Sequence, residues 1–209
     1  MKKALVIIGA SGVGKTTVGN KILADNPEFV LVRSATTRPR RADGNDGEYV
    51  YLSEEEFMDR ISSGAMLEYT SFSGNYYGTP ISELDRIFAE GNIPLLILDL
   101  NGAKSLYEGK FDFTPVIIYV YEDIKVIEER LVKREKESPT GKGLAACERR
   151  LAENRKDYRT LPEIFHIFDA FIRNTAVDTA ADEILKVFHG GKKDIAKNKK
   201  IAETLSATV

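Results

Sequence analysis

The sequence predicts an α/β fold in which a parallel sheet is flanked by helices and interrupted by a small, mostly β lobe. Three observations carry this prediction. Short apolar runs at 4–8, 93–98 and 116–121 alternate with helical patterns, which is typical of β-α-β units. A glycine-rich turn joins the first run to a helical pattern. Between residues 34 and 80 the sequence pattern changes to short segments of alternating apolar and polar residues, rich in tyrosine and glycine.

Each further element follows from the spacing of its apolar residues. Two weaker candidate strands, 29–33 and 170–173, join the three central runs. The segment 135–143 combines charge with one proline and two glycines, which predicts a mobile loop. Amphipathic periodicity predicts helices at 17–24, 81–90, 124–134, 144–158 and 179–188.

These elements predict one domain, residues 1–189, followed by a lysine-rich tail, residues 190–209. The domain carries an inserted lobe at about 34–80 and a small mobile lid at about 134–150. For the tail, the sequence predicts either a loose extra helix or disorder. The core then consists of about 1–33, 81–133 and 151–189.

Composition narrows the classes of function. Hydrophobic content of 43% and charged content of 30% are ordinary for a globular protein, and the net charge of −2 argues against a general nucleic-acid surface. The single cysteine, Cys147, excludes an internal disulfide and suits a reducing compartment. The first apolar run breaks at Gly9 without a signal-cleavage pattern, and no apolar stretch reaches membrane-spanning length. We therefore expect a cytoplasmic monomer or homodimer with small-molecule substrates and no nucleic-acid or membrane partner.

Residues 9–16 match the P-loop pattern G-x-x-x-x-G-K-[ST] without a mismatch. The match follows a predicted strand and precedes a predicted helix, as a P-loop NTPase-type sheet requires. Glycines let successive N–H groups point at one phosphate, Lys15 adds a positive charge, and the Thr16 hydroxyl can ligate Mg²⁺. The sequence therefore predicts a nucleoside triphosphate site. Its residues are Gly9, Ala10, Ser11, Gly12, Val13, Gly14, Lys15, Thr16 and Thr17.

Two clusters in the predicted lobe indicate a second ligand. Residues 34–41 carry three arginines within four positions, and guanidinium groups suit a phosphate dianion. Residues 68–80 place Tyr76 and Tyr77 between glycines, where ring faces and hydroxyls are available to a ligand. Taken alone, the first cluster also fits a solvated basic loop and the second a packed hairpin.

Taken together, these motifs resemble the guanylate kinase family from residue 5 to about residue 187. The resemblance is carried by the P-loop, by S-A-T-T-R at 34–38, by S-G-N-Y-Y-G-T at 73–79, by Leu98-Asp99, and by Asn174 after a strand. The 73–79 segment is the most specific, since other P-loop proteins have no reason to carry it. The resemblance implies an enzyme that uses ATP and Mg²⁺ to phosphorylate GMP, with dGMP as a further acceptor.

The resemblance also implies a GMP site in the lobe. Glu68 would read guanine, because one carboxylate accepts from N1–H and the N2 amino group together and repels the bare N1 lone pair of adenine. Ser34 and Thr79 would add hydrogen bonds to the base. The implied GMP-binding residues are Ser34, Arg38, Arg41, Tyr49, Glu68, Tyr77, Thr79 and Asp99.

A third implication concerns the transferring phosphate. Lys15 would cradle the β and γ phosphates of ATP, and Thr16 and Asp99 would hold Mg²⁺, the latter through water. Asn174 would join the ATP site. Arginines on either side of the lid would swing over the transferring group. The implied catalytic residues are Lys15, Arg38, Arg134 and Arg150.

The sequence departs from the family pattern in the lobe, after Asp99 and in the lid. The family's R-x-P-R-x-G-E reads R-P-R-R-A-D-G here, so Arg40 is an alternative to Arg41 as the phosphate ligand. Asn101 stands where the family has an aspartate, and the lid lacks the usual R-G-x-[DE]. Two alternatives therefore stay open: a kinase of the same fold with another phosphorylated acceptor, and a non-catalytic guanylate kinase-like interaction module. The intact P-loop argues against the module.

Overall fold

A computed structural model of the protein describes residues 2–40, 49–72, 74–137 and 143–209. The strands are β1 (Lys3–Gly9), β2 (Phe29–Leu31), β3 (Ser34–Thr36), β4 (Tyr49–Tyr51), β5 (Met66–Phe72), β6 (Asn75–Pro80), β7 (Ile93–Ile97), β8 (Thr114–Tyr121) and β9 (Ala170–Arg173). The helices are α1 (Lys15–Asp25), α2 (Glu54–Ser62), α3 (Ile81–Ala89), α4 (Leu100–Glu108), α5 (Ile124–Glu137), α6 (Gly143–Ile164), α7 (Val177–Gly190) and α8 (Ile195–Ser206), with a 3₁₀ turn at Phe165–Ile167.

The main sheet has five parallel strands in the order β2-β7-β1-β8-β9, which confirms the predicted fold class. Consecutive side chains of β1 point to opposite faces of the sheet, yet Leu5, Val6 and Ile7 are all fully buried. Both faces are therefore covered, as the continuous apolar run predicts for a central parallel strand. Helices α1 and α4 both contact β1. The five predicted strands correspond to β1, β2, β7, β8 and β9.

The lobe contains a mixed sheet in the order β4-β3-β6-β5, with α2 between β4 and β5. The sequence analysis missed α2, although Ser53 and Glu56 form a capping box at its start. Phe57 of α2 is fully buried and stacks on Tyr76 at 5.5 Å. Arg33, the residue just before β3, connects the start of the lobe to the core through two hydrogen bonds to Glu83 of α3, at 3.0 and 2.9 Å.

Two further helices differ from the sequence prediction: α4 was not predicted, and α6 continues six residues beyond the expected end at Tyr158 and reaches Ile164. The tail contains α8, the helix that was one of its two predicted alternatives. Asn198, Ala202 and Leu205 of α8 are buried, and α8 contacts α6 and the 3₁₀ turn. In the described ranges, the helices are too short or too polar to cross a membrane.

Candidate functional site

The phosphate loop lies between β1 and α1, at the carboxyl edge of the parallel sheet, where ligands of such sheets collect. Gly14 has a φ of 101°, and a Cβ there would lie 2.5 Å from the Asn174 side-chain nitrogen. Only glycine fits that conformation and that approach without strain. The loop borders a cavity of about 600 Å³. Its lining includes Ser11, Gly12, Gly14, Lys15, Thr16, Thr17 and Asn174, all of them predicted residues, and also Arg130.

Lys15 lies against the loop that carries it. Its ammonium group donates to the carbonyl oxygens of Gly9 at 2.7 Å and Ala10 at 3.1 Å. Burial lowers the pKa of Lys15 to about 8, and the nearby carboxylates of Asp157 and Asp99 partly oppose this shift. The loop therefore holds a desolvated cation, which an incoming polyanion would stabilise.

Three distant side chains fix the loop's main chain. Asn174, at the end of β9, donates to the Val13 carbonyl at 2.8 Å. Arg130 of α5 donates to the same carbonyl at 3.2 Å and to the Asn174 carbonyl at 3.3 Å. Asn154 of α6 pairs with the N–H and carbonyl of Ser11. Only Asn174 was predicted here. Arg130 shares its helix face with the predicted Arg134, and this was the signal available for it.

Asp99 follows β7 and caps α4, where one carboxylate oxygen accepts from the Gly102 N–H at 2.9 Å. The carboxylate raises the pKa of Asp157 and of Glu68 and opposes the lowering of the Lys15 pKa. Asp99 therefore lies at the centre of the site, near groups from the loop, the lobe and α6. Thr16, at the start of α1, is exposed beside Lys15.

Asp157 is a further site residue that the sequence reasoning missed. Burial raises the pKa of Asp157 to about 6, and Asp99 and Glu153 add to the shift, while Lys15 opposes it. An aspartate in a charged helix carries no sequence signal of this environment, because its neighbours come from other segments.

In the lobe, Glu68 of β5 accepts a hydrogen bond of 2.7 Å from the Thr79 hydroxyl of β6. Burial raises the pKa of Glu68, the Thr79 bond opposes the shift, and Asp99 adds to it. A Cβ on Gly102 would lie 3.1 Å from the Leu98 side chain and 3.4 Å from the Glu68 side chain, so the first turn of α4 packs next to Glu68.

Arg38 lies in a cluster of tyrosines. Its guanidinium group is 5.7 Å from the Tyr49 ring and donates to the Tyr51 hydroxyl at 3.1 Å. The Tyr49 and Tyr77 rings are 6.4 Å apart. Arg40 is 4.8 Å from the Tyr51 ring, so Tyr51 contacts both arginines. Tyr51, which no prediction included, lies two residues after the predicted Tyr49.

Ser34 begins β3 and pairs in register with Tyr49 of β4, so it belongs to the same sheet as Tyr77 and Thr79. Arg150 lies partly buried on α6. Arg41 lies outside the described residues, and the described part of Arg134 is its helical backbone in α5. The structure thus groups most of the predicted loop residues with Asn174 around one cavity. In the lobe it groups Arg38 with Tyr49 and Tyr77, and it pairs Glu68 with Thr79.

Comparisons with known proteins agree on one family. A family model described as guanylate kinase matches residues 1–190. A guanylate kinase of Prochlorococcus marinus subsp. pastoris is 35% identical over 190 residues, covering 90% of this chain and 97% of the relative. One of a Synechocystis species is 34% identical over 184 residues, covering 88% and 91%. The crystal structure of guanylate kinase from Anaplasma phagocytophilum aligns with a TM-score of 0.63 at 23% identity, covering 100% of this chain and 96% of the other, which supports the fold alone.

Proposed function

The chain belongs to the guanylate kinase family and transfers a phosphoryl group from ATP to GMP, and we propose that the phosphate loop and the lobe divide this work. The observation that supports the proposal is the position of Asp99, which caps α4 at Gly102, next to the Glu68 side chain of the lobe, and whose charge opposes the lowering of the Lys15 pKa by burial. A donor pocket at the loop and an acceptor pocket in the lobe would then share one border, across which a phosphoryl group can pass.

The donor half consists of main-chain N–H groups and Lys15. Phosphoryl transfer asks the protein for positioning and charge neutralisation rather than for covalent chemistry. The Lys15 ammonium group donates to two carbonyl oxygens, and phosphate oxygens are stronger acceptors because they are charged. ATP would therefore take over these bonds, with Asn174 supporting the loop at Gly14.

The acceptor half consists of side chains. Glu68, oriented by Thr79, would accept from N1–H and the N2 amino group of guanine, with Ser34 at the edge of the base. Arg38, Tyr49 and Tyr77 would hold the phosphate of GMP together with Arg41. Arg40 is the alternative to Arg41, and its contact with Tyr51 places it in the same cluster. None of these groups depends on the 2′-hydroxyl, so we propose dGMP as a second acceptor.

Arg134 and Arg150 would stabilise the transferring phosphate from the two helices that border 138–142. Bringing both arginines over the phosphates once both nucleotides are bound would exclude water and limit ATP hydrolysis. Arg38 would reach the transferring group from the lobe side. These three cations would balance the charge that spreads over the equatorial oxygens.

The donor set at the loop fits Mg²⁺. In kinases this ion takes one or two protein oxygens and completes its shell with water and substrate phosphates. Thr16 offers an exposed hydroxyl and Asp99 a carboxylate near Lys15. Within the described ranges no group of three or more histidine, cysteine or acidic residues forms a protein cage for a metal, so phosphates would supply the remaining ligands. Bound Mg²⁺ would neutralise part of the negative charge of the phosphates.

We propose that the enzyme works in the cytoplasm, where ATP and GMP are available, as a monomer or homodimer without nucleic-acid or membrane partners. The reduced, buried thiol of Cys147 agrees with that compartment.

ADP release in a coupled assay across GMP, dGMP, AMP, UMP and CMP tests the proposal. We expect turnover with GMP and dGMP and at least ~100-fold lower kcat/KM with AMP, since guanine is selected by a carboxylate that adenine cannot satisfy. ATP hydrolysis without an acceptor is the control for water exclusion. Equal turnover of AMP and GMP would contradict the role of Glu68. ADP release at the same rate with and without an acceptor would contradict the proposal that Arg134 and Arg150 exclude water only when both nucleotides are bound.

A further inference from the structure

Asn154 of α6 makes a two-point contact with the phosphate loop. The Ser11 N–H donates to its side-chain oxygen at 2.7 Å, and its side-chain nitrogen donates to the Ser11 carbonyl at 2.9 Å. Asn154 is 1% exposed, so the amide reaches the loop through the protein interior. Both polar ends of the amide and both main-chain groups of Ser11 are satisfied by this one contact.

The contact belongs to one face of α6. Arg150 lies one turn before Asn154, and Asp157, whose carboxylate interacts with Lys15, lies almost one turn after it. The helix begins at Gly143, directly after residues 138–142, which separate it from α5. The contact between Asn154 and Ser11 therefore fixes where α6 lies along its own axis, and how it is rotated about that axis, relative to the phosphate loop.

The paired hydrogen bonds of Asn154 constrain the position of α6 more tightly than apolar packing does. Side chains of α6 such as Leu151 and Tyr158 already bury the helix against the core, and they tolerate small shifts along its axis. Two parallel hydrogen bonds to one residue tolerate little displacement, because their energy falls steeply with distance and angle.

We propose that Asn154 is a positioning residue that locks α6 to the phosphate loop, so that Arg150 and the loop present a single geometry to the phosphates of ATP. The inference rests on the proposed function of the loop and of Arg150. It predicts that loss of the bond weakens ATP binding and phosphoryl transfer while the GMP site in the lobe stays intact.

Asn154→Ala tests the proposal, with Asn198→Ala as the matched control. Asn198 is also a buried amide, 2% exposed, and it donates to main-chain carbonyls of Phe168 and Asp169, away from the loop. Measurements are the melting temperature, steady-state kinetics with ATP and with GMP, and ADP binding by calorimetry without acceptor. The ADP affinity does not depend on which acceptor the enzyme uses.

For Asn154→Ala we expect kcat/KM for ATP to fall about 10- to 100-fold, because a displacement of about 1 Å in a positioned site costs up to that factor. ADP affinity should fall as well, and KM for GMP should stay within about twofold. Asn198→Ala should lower the melting temperature by a similar amount and leave the kinetics unchanged. Asn154→Leu, which keeps the volume but not the hydrogen bonds, should behave like Asn154→Ala.

Several outcomes would overturn the proposal. Wild-type kinetics in Asn154→Leu would show that packing alone positions α6. Equal losses in Asn154→Ala and Asn198→Ala would show a general stability effect, as would variants at Asn154 that are unfolded at the assay temperature. Loss of GMP affinity with unchanged ADP affinity would place the effect in the lobe. Failure of the wild-type protein to use GMP would instead contradict the proposed acceptor while leaving the ADP reading valid.

Discussion

In the proposed function, the phosphate loop and the acceptor lobe recognise phosphate by different means. The loop offers main-chain N–H groups in a backbone path that glycines permit, and a single lysine adds the charge. The lobe offers side chains, with a carboxylate for a base and arginines held among tyrosines. A main-chain site recognises any phosphate of the right shape, whereas a side-chain site can select one base. The comparison explains how one enzyme combines a common donor with a selected acceptor.

The two regions also differ in how they are held. Asn174, Asn154 and Arg130 lie 161, 143 and 117 residues from their partners in the loop. In the lobe, the Glu68–Thr79 and Arg38–Tyr51 bonds span only 11 and 13 residues. The loop is therefore held by distant parts of the chain, whereas these two bonds of the lobe lie within the lobe itself.

Removing the loop's cation should have the largest effect and should separate the two regions. We expect Lys15→Ala to lower kcat about 10²- to 10³-fold, the usual cost of losing one preorganised donor to the transition state. GMP affinity, measured by calorimetry, should not change, because Lys15 belongs to the donor half. Lys21→Ala on the exposed face of the same helix is the control. An equal loss of GMP affinity would mean that the two pockets are not separate.

Replacing the Glu68 carboxylate should have the opposite effect to Lys15→Ala, because it should weaken the binding of GMP and leave the donor half unchanged. We expect Glu68→Gln to weaken GMP binding by about 1–3 kcal/mol, because the amide presents a donor to a guanine donor and leaves a buried group unpaired. ATP affinity should be unaffected. The measurement is the Kd of GMP, with Glu55→Gln on the exposed side of α2 as the control. Unchanged GMP affinity would remove the base-reading role of Glu68.

The smallest expected effect concerns stability at the border of the two regions. The pKa of Asp157 is raised to about 6 from 3.8, so the folded protein binds more protons than the unfolded chain between these values. Stability attributable to Asp157 therefore falls as pH rises from about 4 to about 6, and the charged carboxylate is a cost at pH 7. Asp157→Asn should raise the free energy of unfolding at pH 7 by about 1 kcal/mol, after allowance for its partial exposure.

Urea unfolding at pH 7 and pH 4 measures this difference, which should shrink at the lower pH. Glu163→Gln, exposed on the same helix and not among the groups that shift the Asp157 pKa, is the control and should show little change. A less stable Asp157→Asn protein at pH 7 would mean that the attraction to Lys15 outweighs the cost of burial.

The predictability of each region follows from how it is built. The loop is contiguous in sequence, so its glycines, Lys15 and Thr16 could be recognised without a structure. Of the side chains that hold it, Asn174 was recognised through the family resemblance, but Asn154 was not, because Asn154 is an ordinary helical residue until folding brings it to the loop. The five central strands were predictable from apolar runs, but α4 was missed because Asp99 was interpreted as a ligand of the metal and of GMP and not as a helix cap.

In the lobe, the resemblance to a family identified the residues, and their geometry had to come from the structure. Helix α2 had a readable signal in Ser53 and Glu56, which the surrounding strand pattern obscured. The pairing of Tyr51 with Arg38 and Arg40 depends on β3 and β4 lying side by side in parallel, and no local sequence rule predicts that register.

The last helix lies beyond the residues that the family model matches. The family match ends at residue 190, yet Asn198 of α8 binds main-chain oxygens next to β9, and Leu205 is buried. Trimming the chain at residue 190 would uncover apolar side chains and leave the Phe168 carbonyl without its amide donor. The residues after 190 therefore belong to the folding unit, and we expect a chain cut there to be less stable than the full one.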